Sequence, residues 1–438
     1  MTAEHITLGL FLAGLVLCIV TGTELLWALL LGMACFGAYS LYKGNSFLDT
    51  CRMLKEGMAK IANILLIFVF IGCLTASWRI CGTIPYILYH SVRFIQPQYF
   101  VLCTFLLCSV MSFLTGTSFG TFSTIGVICM LVGQTAGVSP LLLGGAILSG
   151  GFFGDRCSPM SSSAQLVCSI TKTDIYSNVR RMMHSALVPF IVSCILYTVL
   201  AGNTTGQPDT SSVALFREYF TLHWIVCLPA VLILVLALLH VHVLWAMSAS
   251  VLSAVCIALV LQKTPLTELL VALYQGYQAP AGTRLAAILD GGGIASMVHP
   301  GIIVLISSSY SGIFSHTPLL APVKAALERQ ARRLGTFGTV TLAALISCGV
   351  SCNQSLGTIL TGQLCEDLYR DRGDLALDLE DSSIVLAGLI PWGIAGAVPL
   401  ATLGAPMESM AVAFYLWLIP LWRLVSGPFT NRSRACPS

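Results

Sequence analysis

Long apolar runs dominate the chain and predict a series of membrane-spanning helices. A full span needs about 20 apolar residues, and several runs are shorter than that or are interrupted by Gly, Pro and Ser. The interrupted runs concentrate in two regions, 112–165 and 347–400. The pattern predicts helices or half-helices over 6–20, 25–42, 61–78, 99–114, 119–132, 141–153, 183–200, 222–239, 243–261, 294–313, 337–364, 384–403 and 410–425.

Composition supports a polytopic membrane protein. Of 438 residues, 56% are hydrophobic and 9% are charged, with a mean hydropathy of +0.87, whereas soluble domains carry about 25% charged residues. The net charge of +3 is too small to indicate nucleic-acid binding. Most of the 17 cysteines lie within apolar runs, where cysteine behaves as a small hydrophobic residue. We therefore predict no zinc site and no cofactor.

Basic residues in short loops set the expected orientation. They concentrate in loops at 43–60, 172–181 and 324–333, which should face the cytoplasm. The loop at 201–221 should lie outside. The N-terminus is then cytoplasmic, the first span is a retained signal anchor, and the protein is a multi-pass protein of the cell membrane. Arg423, Arg432 and Arg434 place the tail inside as well, which requires 337–364 to dip into the membrane and return.

The remaining segments divide the chain into five parts. We expect an N-terminal helical hairpin and cytoplasmic loop at 1–60, a first transporter repeat at 61–182, connecting helices and an amphipathic linker at 183–293, a second repeat at 294–426 and a cytoplasmic tail at 427–438. Segment 81–95 is predicted to be amphipathic or partly inserted, and 263–289 an amphipathic connector. Segment 366–381 holds seven acids and is expected to be a solvated loop or surface helix.

A polar break at membrane depth points to function. The run from Gly150 to Ser163 continues an apolar stretch with Asp155, Arg156, Pro159 and four serines. Irregular backbone in a membrane is tolerated only when it is buried in protein or lines a wet cavity. Ionisable residues there are functional candidates. Secondary transporters use such discontinuous helices to coordinate ions.

An internal repeat is visible. The segment 115–121 resembles 351–358, and each interrupts an apolar run. Each is followed by a further broken segment, at 154–159 and at 380–392, which has an acidic residue at or near its start. Paired interruptions in two halves indicate the binding site of a transporter with inverted repeats. The alternative is that these Gly- and Ser-rich segments only allow close helix packing.

At these residues the chain resembles the NhaC-type Na+/H+ antiporters of the ion transporter superfamily. The matching motifs are Ser77-Trp78 with Gly82-Thr83-Ile84-Pro85, Thr115-Gly116-Thr117-Ser118 with Gly120-Thr121, Gly154-Asp155-Arg156 with Ser158-Pro159 and Ser161, Thr173-Asp174, Asn353-Gln354, Glu380-Asp381-Ser382 and Leu389-Ile390-Pro391-Trp392. The resemblance covers roughly 50–425. It implies an all-α polytopic fold with inverted repeats, broken or re-entrant helices that meet near the midplane, and exchange of sodium against protons.

The chain departs from the family pattern at two places. Family members usually continue the Ser-Pro motif with Ser-Asp-Thr-Thr-Asn, but here the residues at 161–165 are Ser-Ser-Ser-Ala-Gln. Family members usually follow Pro-Trp with Asn-Thr, but Gly393 and Ile394 stand here. Two polar ligand positions are therefore lost.

Hard cations prefer oxygen ligands, and the broken segments supply them. Asp155 is the central candidate, because a carboxylate can bind Na+ when ionised and H+ when neutral. Its alternative role is a structural ion pair with Arg156 or Lys172. Asp381 is the second candidate carboxylate, unless it belongs to the acidic loop before it. The candidate ion- or substrate-binding residues are Thr115, Thr117, Ser118, Thr121, Asp155, Ser158, Ser161, Ser162, Asn353, Gln354, Asp381 and Ser382, of which Asp155, Ser158, Ser118 and Asn353 are expected to ligate Na+.

Two functions are carried forward. The first is Na+/H+ antiport by alternating access. The second is exchange of an organic acid or amino acid against ions on the same scaffold, for which Arg156 or a helix N-terminus would hold a carboxylate. A membrane hydrolase is disfavoured, because no pairing of a serine with a histidine suggests a nucleophile and its base. The expected partners are Na+ and H+, or a small organic anion, together with membrane lipid; a homodimer is left open.

Overall fold

The computed structural model describes residues 3–21, 23–59, 61–91, 97–202, 216–239, 241–280, 286, 289–317, 319 and 321–431. Regular secondary structure within these residues is helical, and the one β-bridge, Tyr277 with Gly291, is isolated. The predicted all-α fold is confirmed. Most of the predicted external loop (203–215), part of the 263–289 connector and tail residues 432–438, with Arg432 and Arg434, lie outside the described residues.

Nineteen helices organise the described chain. They are α1 (Ala3–Thr21), α2 (Leu25–Tyr42), α3 (Phe47–Ala59), α4 (Ala62–Ile80), α5 (Thr83–Ser91), α6 (Pro97–Thr115), α7 (Ser118–Thr135), α8 (Pro140–Cys157), α9 (Ser162–Thr171), α10 (Ile175–Ala201), α11 (Leu228–Leu238), α12 (Val243–Val260), α13 (Leu266–Gln275), α14 (Val298–His316), α15 (Ala321–Ser351), α16 (Gln354–Cys365), α17 (Arg372–Leu379), α18 (Ile394–Leu403) and α19 (Phe414–Asn431). A π-turn, Glu380–Ile384, follows α17. Short helical turns complete the set at Trp224–Cys227, Gly293–Ser296, Glu366–Leu368, Val385–Ala387 and Met407–Val412.

Four of these helical segments are long and apolar enough to cross a membrane. They are Gln98–Thr115, Ser118–Thr135, Ile175–Ala201 and Leu334–Ser351. Several further helices are equally apolar but shorter. The helices follow the predicted runs closely, because apolar length and flanking breaks decide both. The chain is therefore a multi-pass membrane protein whose spans are partly built from half-helices.

The N-terminal hairpin forms as predicted, but the segment after it is not a simple loop. Helices α1 and α2 are tied at one end, where Lys43 Nζ lies 2.6 Å from Glu4 Oε1 and Tyr39 donates to the same oxygen. The hydrogen bond to Glu4 raises the pKa of the Lys43 ammonium. Most of 43–60 folds as amphipathic α3, which packs on α14: Ser308 Oγ donates to the Gly57 carbonyl at 3.0 Å.

Helices α6 and α8 pack closely against each other beside the polar run 150–163. A Cβ atom at Gly154 would lie 2.0 Å from the carbonyl carbon of Ser112, and one at Gly150 would lie 2.7 Å from the Phe105 carbonyl oxygen. Ser112 Oγ also donates to the Gly151 carbonyl at 2.5 Å. Small residues four apart let membrane helices approach closely. The glycines therefore have a packing role, and this packing fixes the end of α8.

The segment 337–364, which the sequence predicts to dip into the membrane and return, reverses its direction in the structure. Helix α15 ends at Ser351, and α16 runs back along it as an antiparallel hairpin. Near the tip, Gly357 packs against Cys348; farther out, Val340 and Ala343 pack with Cys365.

The acidic segment 366–381 corrects the prediction of a solvated loop or surface helix. Its first acids, such as Glu366, are exposed, but Asp378, Glu380 and Asp381 are buried. The cause is the apolar face of α17, where Leu375 and Leu379 pack against Val167 of α9. Because this face docks on the first half of the chain, the following acids are carried into the protein.

Candidate functional site

Four helix interruptions form the candidate site. Break 1 (116–117) separates α6 from α7, and break 2 (158–161) separates α8 from α9. Break 3 (352–353) separates α15 from α16, and break 4 (388–393) lies between the turn Val385–Ala387 and α18. Helices do not continue through Ser158 or Pro391, so the predicted discontinuity at both positions is confirmed.

Breaks 1 and 3 have the same local conformation. Each contains a residue in the left-handed region, Gly116 at φ +66° and Cys352 at φ +55°. The next residue is extended, with φ −143° and ψ 123° for Thr117 and φ −138° and ψ 127° for Asn353. Each of these side chains caps its helix, accepting from Gly120 N–H at 3.2 Å or from Leu356 N–H at 3.1 Å. The repeat predicted from sequence is therefore present in the backbone.

Breaks 2 and 4 differ in how they start the next helix. Ser161 caps α9, and its hydroxyl oxygen accepts from the N–H groups of Ser163 and Ala164 at 3.1 and 3.3 Å. Gly393 occupies the corresponding position before α18 with extended backbone, but it has no side chain to act as a cap. The departure from the family pattern at 393 thus removes a polar group from the start of α18.

The four breaks meet in one place. Gly116 packs on the backbone of Met160, which joins breaks 1 and 2. Gln354 Nε2 donates to Asp155 Oδ2 at 3.1 Å, which joins the second half to the first. The Ile394 N–H donates to the Cys352 carbonyl at 2.9 Å, which joins breaks 3 and 4. The regions 112–165 and 347–400 therefore contact each other; that they meet in one cavity near the midplane of the membrane stays a prediction.

Asp155 lies at the centre of this meeting point. Its side chain is 3% exposed. Oδ2 accepts from Ser163 Oγ at 2.7 Å and from Gln354, and Oδ1 accepts from Ser161 Oγ at 3.3 Å. Gln354 also donates to the Ile384 carbonyl at 3.2 Å. The described donors to Asp155 are all neutral, so none of them cancels its negative charge.

Arg156 is directed to a different set of partners. It forms a fully buried ion pair with Asp381, and it donates to Ser185 at 2.5 Å and to Tyr415 at 3.2 Å. Lys172, the other proposed partner of Asp155, is exposed at the end of α9. Among the described contacts, Asp155 therefore pairs with neither cation, which argues against a purely structural ion pair at this residue.

Asp381 lies in a network of ion pairs, and none of the described hydrogen bonds joins it to Asp155. Besides Arg156, it lies 3.5 Å from Arg423, which binds Asp378 at 2.9 Å. Ser382 Oγ donates to the Asp378 carbonyl at 2.5 Å. The role of Asp381 and Ser382 in binding an ion stays a prediction, and their described contacts are structural.

The remaining predicted ligands line a cavity or lie in or next to the helix breaks. Thr115, Thr117 and Ser162 line a cavity of about 430 Å³ that His242 of the 239–243 connection also borders. Thr121 donates to the Thr117 carbonyl at 3.0 Å, and Ser158 Oγ accepts from Met160 N–H at 3.2 Å. Ser118 is buried at the first position of α7. The structure gathers these oxygens around breaks 1 and 2.

Comparisons with known proteins agree with this arrangement. The sequence profile described as the Na+/H+ antiporter family matches residues 2–171 and 152–426. The chain belongs to the Na+/H+ antiporter family. The resemblance drawn from the polar motifs is thereby confirmed.

Relatives of this family member carry names that specify different transported substrates. The chain is 29% identical to the malate-2H+/Na+-lactate antiporter of Bacillus subtilis, covering 94% of this chain and 90% of that protein. It is 27% identical to the Na+/H+ antiporter NhaC of Alkalihalophilus pseudofirmus, covering 91% and 88%. It is also 27% identical to the arginine/ornithine antiporter ArcD of Halobacterium salinarum, covering 93% and 87%.

Two residues of this antiporter were missed as site candidates. Ser163 makes the 2.7 Å hydrogen bond to Asp155, although the sequence analysis selected only Ser158, Ser161 and Ser162 among the serines of the same run. Glu380 is fully buried, although only Asp381 and Ser382 of its motif were selected. The signal for Glu380 was its position at the point where the acidic segment enters the apolar run 384–403.

Proposed function

We propose that this family member exchanges Na+ for H+ across the cell membrane by alternating access, with Asp155 as the group that binds both ions in turn. The observation that carries the proposal is the environment of Asp155: a buried carboxylate that bridges the two halves and is held only by neutral donors among the described residues. Its negative charge is therefore available to a transported cation or to a proton.

The exchange needs only competition for this charge. When Na+ binds, the Asp155 carboxylate, the nearby hydroxyl oxygens and backbone carbonyls at the breaks provide hard oxygen ligands. When the cation leaves, a proton neutralises the carboxylate, because an isolated charge in the protein interior is unfavourable. Na+ and H+ then occupy the same group in alternation, so the movement of one drives the other.

Gln354 gives this chemistry a structural link to alternating access. It contacts Asp155 in the first half and the Ile384 carbonyl in the second. Transporters built from repeats move one repeat against the other around a fixed site. A change in the occupancy of Asp155 changes what Gln354 can donate to, and the contact between the halves responds to the bound ion.

The decisive experiment compares Asp155→Asn with the wild type in everted vesicles that contain a pH-sensitive dye. We expect the variant to lose Na+-driven proton movement while its thermal unfolding in detergent stays near that of the wild type. Asparagine can accept the neutral donors but cannot exchange a proton near neutral pH. Asp367→Asn changes an exposed acid and serves as the matched control. Normal exchange by Asp155→Asn would remove Asp155 as the shared carrier.

A second function is favoured by the cavity beside breaks 1 and 2. Its volume of about 430 Å³ is far above the roughly 30 Å³ share of one water molecule and falls in the range of small-molecule pockets. Two relatives carry names that specify organic acids or amino acids. Adding malate, lactate, arginine or ornithine to the same vesicles tests exchange of such substrates against Na+ or H+.

The proposed orientation places the N-terminus in the cytoplasm. The Lys43–Glu4 contact brings both ends of the α1–α2 hairpin to one side, next to the basic segment that contains α3. Cys51 is exposed on α3. In a variant that keeps Cys51 as its only cysteine, a membrane-impermeant thiol reagent should label inside-out vesicles and spare right-side-out vesicles.

A further inference from the structure

Glu380 is a fully buried acid to which the described residues donate no hydrogen bond. Its side chain has no exposed surface, and neither Oε1 nor Oε2 has a hydrogen-bond partner in the described part of the chain. Asp155, Asp378 and Asp381 differ, because each accepts from a neighbouring side chain. An ionised carboxylate in this position is strongly unfavourable unless a cation compensates it.

The ion pairs around Glu380 leave it uncompensated. Arg156 pairs with Asp381, and Arg423 pairs with Asp378 while approaching Asp381. Within this buried cluster, two acids therefore have no basic partner among the described residues: Asp155 and Glu380. The cluster can hold two removable positive charges, whether they are protons or a proton and a metal cation.

Glu380 is close enough to Asp155 for the two charges to interact. It opens the π-turn after α17 and lies within electrostatic range of Asp155, Arg156 and Asp381. Its neighbour Leu379 packs near Gly362 of α16, and Ile384 of the same π-turn accepts from Gln354. Thr358 lies midway between Gln354 and Gly362 on the same face of α16. Its buried hydroxyl, like the Glu380 carboxyl, has no hydrogen-bond partner in the described part of the chain.

We propose that Glu380 is a second proton carrier of the exchange, acting together with Asp155. The inference rests on the proposed Na+/H+ exchange and adds a residue to it. When the cation binds beside Asp155, the O–H bond of the neutral Glu380 carboxyl breaks and its proton passes to water. Because Asp155 also gives up its proton to the same cation, one cation replaces two protons, one from each acid, and the net charge of the cluster falls by one in the step.

Apart from Asp155, the titratable and charged groups near Glu380 do not provide an alternative carrier. Arg156, Arg423 and Asp381 are held in ion pairs, and the thiols release protons only above neutral pH in their ordinary state. The groups that interact electrostatically with Glu380 are Asp155, Arg156 and Cys157 at the end of α8, Cys168 on α9 and Asp381 beside it. Asp378 is two residues away, and the elements packed on the π-turn also carry Cys348 on α15 and Tyr415 and Arg423 on α19.

The test measures protons released per cation taken up, using a pH-sensitive dye and ²²Na+ in proteoliposomes. We expect Glu380→Gln to lower this ratio by one proton per cation, because glutamine holds no exchangeable proton. Glu380→Asp keeps a carboxyl group and should keep the wild-type ratio with a shifted pH profile. Glu366→Gln changes an exposed acid that pairs with Arg372 at the surface, and it should match the wild type.

The outcomes separate this inference from the function on which it rests. A wild-type protein that moves no protons when Na+ is added would remove the proposed function. An active wild type with an unchanged ratio in Glu380→Gln would overturn the role of Glu380 and leave the function standing. If Glu380→Gln does not fold, an unchanged pH profile in Glu380→Asp would overturn it equally.

Discussion

The Arg156 guanidinium and the Asp381 carboxylate form an ion pair in which neither side chain has any solvent-exposed surface. The pair joins α8 to the π-turn after α17, residues 225 positions apart in the chain. It therefore ties α8, the helix that carries Asp155, to the π-turn that begins with Glu380.

Removing one member of this pair should destabilise the protein. We expect Arg156→Met or Asp381→Asn to lower the free energy of unfolding by about 3–5 kcal/mol, because the remaining charge is buried without its partner. The double variant Arg156→Met, Asp381→Leu should recover much of that loss. Thermal unfolding in detergent checks both expectations, and equal stability of the single variants and the wild type would contradict them.

The spans were predictable from sequence, whereas the partners of the buried charges were not. Apolar length and Gly, Pro and Ser interruptions are local signals, so they located breaks at Ser158 and Asn353. The pairing of Arg156 with Asp381 depends on a contact between distant segments, which local patterns do not carry. The burial of Glu380 was missed for a related reason: the acidic composition of 366–381 indicated solvent, and the docking of α17 overrode it.

Gln354 should affect the affinity for the cation more than it affects the stability of the fold. Gln354→Ala removes a donor to the Asp155 anion, and a hydrogen bond to a charged group contributes about 1.5–3 kcal/mol. Protons then compete more effectively with the cation. We expect KM for Na+ to rise by about tenfold or more with little change in thermal stability.

The matched control for Gln354 is Gln363→Ala, which changes an exposed glutamine on the same helix, α16. It should leave KM for Na+ unchanged. Wild-type KM in both variants would separate Gln354 from cation binding and limit it to a contact between the halves.

Gly154 should be intolerant of any side chain. Its Cβ would fall 2.0 Å from the Ser112 carbonyl carbon and 2.2 Å from the Phe113 nitrogen, both backbone atoms of α6. Gly154→Ala must therefore separate α6 from α8, and we expect loss of folded protein in detergent. Gly9→Ala is the control, because nothing lies within 4 Å of the added atom. A wild-type melting temperature for Gly154→Ala would refute this packing.

The equivalent caps of breaks 1 and 3 should have similar energetic weight. Thr117→Ala and Asn353→Ala each remove a side-chain acceptor at a helix start, which costs about 0.5–2 kcal/mol. Thr117→Ser and Asn353→Asp keep the acceptor and should retain stability. Thermal unfolding of the four variants tests the equivalence, which fails if only one of the two alanine variants is destabilised.

The shared backbone of breaks 1 and 3 has a consequence for the cavity. Its lining residues lie between Thr115 and Ala246, so the second half contributes none of them. Two elements with the same conformation can exchange roles. We infer that the cavity belongs to one of two conformations in the transport cycle. In the other conformation, the space beside Thr117 closes and an equivalent space opens beside Asn353. The starts of α7 and α16, which have the same backbone conformation, would then differ only in which of them is exposed to water.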